Sequence, residues 1–317
     1  MVTAVVPGMS EMMQVMEVAH PGGPEALQAA RRSVPEPEPT EVLVRVRAAG
    51  LNPVDWKTRA GGGVSGLLGA GPWVLGWDVA GEVVALGGGV TRFAVGDRVF
   101  GMPRFPHEGG GYGEYVTAPS RQFARIPDGL DVVEAAGLPL AGLTALQGFD
   151  AAGLEKGQRV LVHAAAGGVG HLAVQLAKAA GAYVIGTAST AKHDFVRGLG
   201  ADEVIDYRER PFEEQIRDVD VVFDAVGGDV TARSVPVLRE GGVLVTIPGG
   251  ELPEAPGIRA FWLLVEPDGA GLDRLAALVT EGALRVEVAD TAPLAKIAQM
   301  HEVGERGRTA GKLVVTV

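Results

Sequence analysis

Two groups of residues in this chain have the types and the spacing to do chemistry. The first is Ala165-x-Gly167-x-x-Gly170, inside the stretch "LVHAAAGGVGHLAVQLAKAAGAYVIGTAS". A short apolar run leads into a turn of small residues and then into a helix-forming segment expected to start near Val169. Such a turn brings bare backbone next to a pyrophosphate, and the helix behind it aims free N–H groups and its positive dipole end at the phosphates. Ala stands where the usual motif has its first glycine. The second group lies at the end of the next apolar run, in "GTASTAKH". NAD-binding chains place Asp or Glu there, against the ribose 2′-hydroxyl. Residues 187–190 carry no acid. The Ser189 hydroxyl and the Lys192 cation suit a 2′-phosphate instead, so NADPH is the expected cofactor. The plainer alternatives are a glycine-rich corner without a ligand and a lysine that is only solvated.

These groups need elements to hold them. From residue 159 onward, apolar strands alternate with helical segments: strands over 159–164, 183–187, 203–206, 219–226 and 242–247, helices over 169–180, 192–199, 211–217 and 231–238. "IRAFWLLV" supplies a sixth strand. Strands separated by helices of about ten residues point to βαβ units and a parallel sheet. Before residue 139 the rhythm differs. "EVLVRVRAAGL" alternates apolar and polar residues, and "WDVAGEVVALG" and "VGDRVFG" are short runs broken by Gly and Asp, which suits a compact β-rich domain. After "EPDG" come a helix, "LDRLAALVTEG", a strand, a further helix and a last strand, "GKLVVTV". That tail breaks the alternation and is expected to return to the β-rich domain.

Composition sets limits. With 317 residues the chain suits two domains, and 47% apolar residues suffice for their cores. A net charge of -11 disfavours nucleic acid or an anionic membrane surface as partner. No cysteine is present, which excludes disulfides, thiolate metal sites and a cysteine nucleophile. No apolar run reaches the ~18 residues of a membrane span. "MVTAVVPGMSEMMQ" lacks the pattern of a signal peptide and reads as a loose extension, so a cytoplasmic location is expected.

"NPVDWKTRAG", "GWDVAGEVVALGGGVTRFAVGDRVFG", "GGYGEYV", "LPLAGLTALQ", "VLVHAAAGGVG", "LGADEVIDYRE" and "GRTAGKLVV" follow one another in the order seen in zinc-free medium-chain dehydrogenases/reductases. The chain most resembles the quinone oxidoreductase (zeta-crystallin-like) branch, from about Val15 to Val317. The resemblance implies an α/β chain of two domains. A GroES-like β-barrel catalytic domain takes residues 1–137, of which 1–14 are the extension. A Rossmann domain with a doubly wound parallel sheet takes 138–268 and holds NADPH. Segment 269–317 rejoins the catalytic domain. Homodimers are usual in the branch.

The resemblance also implies site residues. Asn52 of "NPVD" matches a position near the nicotinamide ribose and the substrate, and Asp55 the acidic position after it. Thr144 of "GLTALQ" matches a threonine near the nicotinamide. Ala166, Gly167, Gly168, Val169 and Gly170 form the pyrophosphate turn. Ser189, Lys192 and Tyr207 of "IDYRE" match 2′-phosphate contacts. Ile247 and Gly249 of "TIPGG" lie beside the nicotinamide. Lys312, whose role varies in the family, joins the cofactor contacts. Asn52 also reads as a turn cap before Pro53, and Asp55 as a loop brace. Tyr112 is expected to pack, and the six histidines are read as structural.

Two departures matter. Zinc alcohol dehydrogenases carry "GHE" where this chain has Gly76-Trp77-Asp78, so no metal site is expected. Many quinone reductases have a tyrosine soon after the acid of the first motif, whereas this chain has Trp56 and Lys57. That leaves Lys57 as the expected cation near the substrate. The expected activity is hydride transfer from NADPH to a quinone or similar electron-poor acceptor. Two alternatives stand beside it: an enoyl or enone reductase, and an NADPH-binding structural or sensor protein with little turnover.

Overall fold

A computed structural model describes residues 11–317. In chain order the first strands are β1 (Met12–Val18), β2 (Leu27–Ser33) and β3 (Glu41–Leu51), followed by helix α1 (Pro53–Arg59). Then come β4 (Asp78–Leu86), β5 (Arg98–Gly101), β6 (Tyr115–Pro119), β7 (Phe123–Arg125) and the helices α2 (Val132–Ala136) and α3 (Pro139–Ala152). The alternating region holds β8 (Arg159–Val162), α4 (Gly170–Ala179), β9 (Tyr183–Thr187), α5 (His193–Gly198) and β10 (Glu203–Ile205). It continues through β11 (Val219–Asp224), α6 (Asp229–Arg233), β12 (Leu238–Thr246) and β13 (Arg259–Trp262). The tail adds α7 (Gly269–Thr280), β14 (Val288–Pro293), α8 (Ile297–Glu305) and β15 (Lys312–Thr316). Of the expected extension, residues 1–10 lie outside the described residues, and from Met12 the chain is already strand, paired antiparallel with β2.

The chain divides into two units. One takes the chain up to Leu140 with Glu266–Glu281 and Val286–Val317, and the other takes Ala141–Val265 with Gly282–Arg285. The boundary therefore falls a few residues after the expected 137, inside the first turn of α3. Gly282–Arg285 leaves the tail for the second unit because Gln175 of α4 brackets the Arg285 backbone, accepting from its N–H at 3.0 Å and donating to its carbonyl at 3.0 Å.

The first unit is built around β3. One edge of β3 pairs with β4 from Val42 to Gly50; the other is shared, with β6 along Glu41–Arg45 and β15 along Ala48–Leu51. Strands on both edges bury β3 far more than its alternation suggests; Val42, Val44 and Val46 pack with Val79, Val83, Phe93, Val99 and Phe123. The approach of β4 demands glycine at Gly81, where a Cβ would lie 2.1 Å from the Arg45 carbonyl oxygen. In the tail, β15 pairs antiparallel with β3, and β14 pairs parallel with β15.

The second unit holds six parallel strands in the order β10-β9-β8-β11-β12-β13. This is the doubly wound Rossmann order, with its switch point between β8 and β11. Leu161, Ile185, Val222 and Leu244 from the strands pack with Phe212 and Ile216 in its core. Several helices are shorter than expected. The helix over 231–238 gives way to α6 and a 3₁₀ turn at Val235–Val237, since Pro236 has no N–H to continue the ladder. The one over 211–217 is only a 3₁₀ turn at Phe212–Glu214. Among the described residues, no helix is long and apolar enough to cross a membrane.

Candidate active site

Strand register assembles the site of the first unit. At the end of β3, Gly50 faces Asp78 on β4, and Leu51 faces Leu313 on β15. The next residue on β3's chain, Asn52, thereby meets Lys312, the residue before Leu313. Gly50 has to be glycine here, because a Cβ would lie 2.3 Å from the Ala136 carbonyl and 2.9 Å from Asp78 Cβ. Lys312 Nζ donates to Asn52 Oδ1 at 2.5 Å and to Asp78 Oδ2 at 3.1 Å. Asn52 Nδ2 donates to Asp78 Oδ2 at 2.8 Å, and the Leu140 N–H donates to Asp78 Oδ1 at 2.6 Å. Asn52, Asp78 and Lys312 are all buried, with Lys312 only 2% exposed. The partners fix the amide's orientation: a cation must face its oxygen and a carboxylate its nitrogen. One Asn52 N–H is left over.

Asn52 also caps α1, with Pro53 at the first helical position. Asp55 reaches back, and its Oδ2 accepts the Asn52 backbone N–H at 2.6 Å. Its Oδ1 is buried without a hydrogen-bond partner. Burial pushes the Asp55 carboxyl up to about 7, with Asp78 adding to the rise, while the Asn52 N–H, Lys312 and Tyr112 oppose it. Asp55 is therefore a proton-holding acid near neutral pH.

Lys57 is not brought to this cluster. It is exposed on the other face of α1, and the cation at Asn52 is Lys312. Trp56 packs edge-on to His301, 6.1 Å between ring centroids, and its ring leaves no space for a side chain at Gly304. Sequence reading missed Asp78, although its motif was in view. It also missed a buried line behind Asp55. The Tyr112 hydroxyl contacts His301 Nε2 at 3.2 Å, His301 Nδ1 contacts Arg59 Nη1 at 3.3 Å, and Arg59 Nη2 meets Glu305 at 2.5 Å.

In the second unit the small-residue turn follows β8, and α4 begins at Gly170 rather than at Val169. The left-handed strain falls on Ala164 (φ 51), one residue ahead of the motif, which is why Ala165 can replace the first glycine. A Cβ on Gly170 would lie 2.1 Å from the Ala164 carbonyl, the close helix–strand approach the motif requires. Ala166 is buried, whereas Gly167, Gly168 and Val169 are half-buried and leave bare backbone accessible. This cradle fits a pyrophosphate. Thr144 is buried on α3. Ile247 and Gly249 follow β12, where Trp262 Nε1 donates to the Ile247 carbonyl at 3.2 Å.

At the end of β9, Ser189 and Lys192 are half-buried and Tyr207 is exposed. Desolvation, with help from the nearby Arg208 charge, holds the Lys192 ammonium below its usual range. Arg208, missed in the sequence although "IDYRE" contains it, also lies over the Tyr207 ring, 5.5 Å from its centroid. The acid beside them, Asp206, is occupied by the Thr190 N–H and hydroxyl and by the Arg208 N–H. Lys192 and Arg208 thus place two positive charges close together at this rim. Trp77, where the zinc enzymes carry histidine, is fully buried and gives its indole N–H to the His107 carbonyl at 2.6 Å.

Comparison with known proteins adds three kinds of likeness. The family model for the alcohol dehydrogenase GroES-like domain matches residues 38–128, and the zinc-binding dehydrogenase model matches residues 199–315. The chloroplast envelope quinone oxidoreductase homolog of Arabidopsis thaliana is 35% identical over 322 residues, spanning 93% of this chain and 95% of that protein. The chloroplastic NADPH-dependent alkenal/one oxidoreductase of the same plant is 37% identical over 291 residues, 89% of this chain and 73% of that protein. The structure of the quinone oxidoreductase from Coxiella burnetii superposes with a TM-score of 0.90 at 39% identity, covering 97% of this chain and 100% of that one.

Removing the buried cation should be costly. Lys312→Met leaves Asp78 charged and unpaired in the interior, and urea denaturation is expected to show a loss of about 3–5 kcal/mol. A loss below about 1 kcal/mol, the scale of an exposed pair, would mean that the pair does not hold this site.

Proposed function

The chain belongs to the medium-chain dehydrogenase/reductase superfamily as a quinone oxidoreductase-like oxidoreductase, and from that premise we propose that it is an NADPH-dependent, metal-free reductase of quinones or similar electron-poor carbonyl acceptors. The observation that carries this reading is the Asn52 amide. Lys312 and Asp78 lock it in one orientation and leave it one N–H to offer. A donor held in place before the reaction needs no reorganisation when negative charge develops on an acceptor oxygen. When bound, the reduced nicotinamide supplies the hydride. Asn52 then binds and orients the acceptor oxygen, and Asp55 holds the proton that the reduced acceptor takes up.

The turn 166–170, with Thr144, Ile247 and Gly249, is assigned to the dinucleotide. Ser189, Lys192, Tyr207 and Arg208 are assigned to its 2′-phosphate. The proximity of Lys192 and Arg208 gathers positive charge where a 2′-phosphate would lie, which supports the phosphorylated cofactor. Absence of zinc is supported by the donors available. The chain has no cysteine, the Trp77 indole stands in the histidine position, and among the described residues no three His, Asp or Glu gather to hold a metal. A resident catalytic zinc does not fit these residues. A homodimer is supported by β13, an edge strand whose Trp262 is 48% exposed with Leu264 nearby at 40%.

Asp55 favours one second reading, reduction of an α,β-unsaturated carbonyl, which needs a proton at carbon as well as a hydride. The alkenal/one oxidoreductase relative supports it. NADPH oxidation with a small ortho-quinone, run in parallel with a simple conjugated enone, decides between the two. Rapid oxidation with the quinone upholds the first reading, oxidation with the enone alone moves the assignment to the second, and oxidation with neither contradicts both. For the cofactor, Lys192→Glu is expected to weaken NADPH by about tenfold or more, the scale of a lost charge-assisted contact, and to leave NADH little changed. Equal losses for both nucleotides would remove the 2′-phosphate assignment.

A further inference from the structure

Behind Asp55 runs a line of side chains whose donor and acceptor roles are forced. Arg59 is buried and has only donors, so its Nη1–H must donate to His301 Nδ1. Burial and the Arg59 charge hold the His301 ring far below its ordinary titration range, at about 3, so the ring is neutral. With Nδ1 accepting, the single ring proton sits on Nε2 and is donated to the Tyr112 oxygen. That leaves the Tyr112 hydroxyl proton without a set acceptor. Asp55 Oδ1 is a buried oxygen without a donor, and the Tyr112 hydroxyl lies near enough to favour its ionised form, although short of a formed hydrogen bond. Hydrogen bonds in ligand-free sites commonly tighten once the ligand is bound.

We propose that Tyr112 and His301 are positioning residues for Asp55: Arg59, His301 and Tyr112 form a one-way donor chain that presents a hydroxyl to the carboxylate oxygen nothing else meets. The chain reaches across the fold, from α1 through α8 to the loop before β6. The other charges facing Asp55 are Asp78 from β4 and Lys312 from β15, and neither donates to Oδ1. When Asp55 yields its proton to the reduced acceptor, the carboxylate left behind is stabilised by Tyr112, and a solvent proton restores the acid. The role of Asp55 as that acid rests on the function proposed above; the donor chain itself does not.

The test follows the Asp55 carboxyl directly, by carbon-13 NMR of aspartate-labelled full-length protein across a pH series, with Asp55→Asn assigning the signal. Tyr112→Phe removes the hydroxyl, and His301→Leu breaks the chain. His301→Gln keeps an acceptor for Arg59 and a donor for Tyr112. The first two variants are expected to raise the Asp55 midpoint by about one pH unit, with His301→Gln staying near the parent. The general acid must be protonated, so the alkaline fall of kcat/KM should move to higher pH in the same two variants. Unmoved midpoints with lowered melting temperatures would overturn the proposal and leave the two residues as packing. Midpoints that move while neither quinone nor enone is reduced would uphold the chain and overturn the proposed function instead.

Discussion

Everything in the first unit's site depends on one buried ion pair, Lys312 with Asp78, bridged by the Asn52 amide. Two charges away from water are unstable unless their remaining valences are used. Here they are. Asp78 takes hydrogen bonds from Lys312, from Asn52 and from the Leu140 N–H. Lys312 divides its donors between Asp78 and the Asn52 oxygen. The pair therefore acts as a clamp, tying the last strand to the third and fourth and holding one amide in a single orientation. Glycine at 50, 81 and 311 is part of that clamp. A Cβ at Gly311 would lie 2.2 Å from the Glu287 carbonyl, so a larger residue would displace the strand that carries Lys312.

The second unit solves a different problem with backbone. Its turn after β8 leaves half-buried backbone at a helix start, the kind of surface that suits a pyrophosphate through main-chain N–H groups. Its cations Lys192 and Arg208 stand near one another at the rim after β9, apart from that turn. Asp206, the acid that would spoil that rim, is turned inward onto Thr190 and the Arg208 backbone.

The legible parts of the sequence were local. The small-residue turn, the absence of acid after β9 and the "NPVD" motif each sit within a few residues, and the family resemblance placed them on the turn after β8, the end of β9 and the start of α1. What stayed hidden is set by register. Lys312 contacts Asn52 across 260 positions and Tyr112 contacts His301 across 189, and no local pattern reports such pairs. Lys57 looked like the cation because it follows Asp55 closely, but two residues on along a helix is the wrong face. Strand lengths were read better than helix lengths, because Pro236 and the turn at Phe212–Glu214 cut short segments whose apolar spacing alone looked helical.

The measurement that tests the central claim most directly is Asn52→Ala, assayed for NADPH affinity and for quinone reduction on the same preparation. If Asn52 is the locked donor to the acceptor, NADPH binding is retained within about a factor of two while kcat/KM for the quinone falls about a hundredfold, the usual loss for one pre-positioned donor. Quinone turnover that survives the substitution undiminished would contradict the account, leaving the buried ion pair as a clamp with no part in the chemistry.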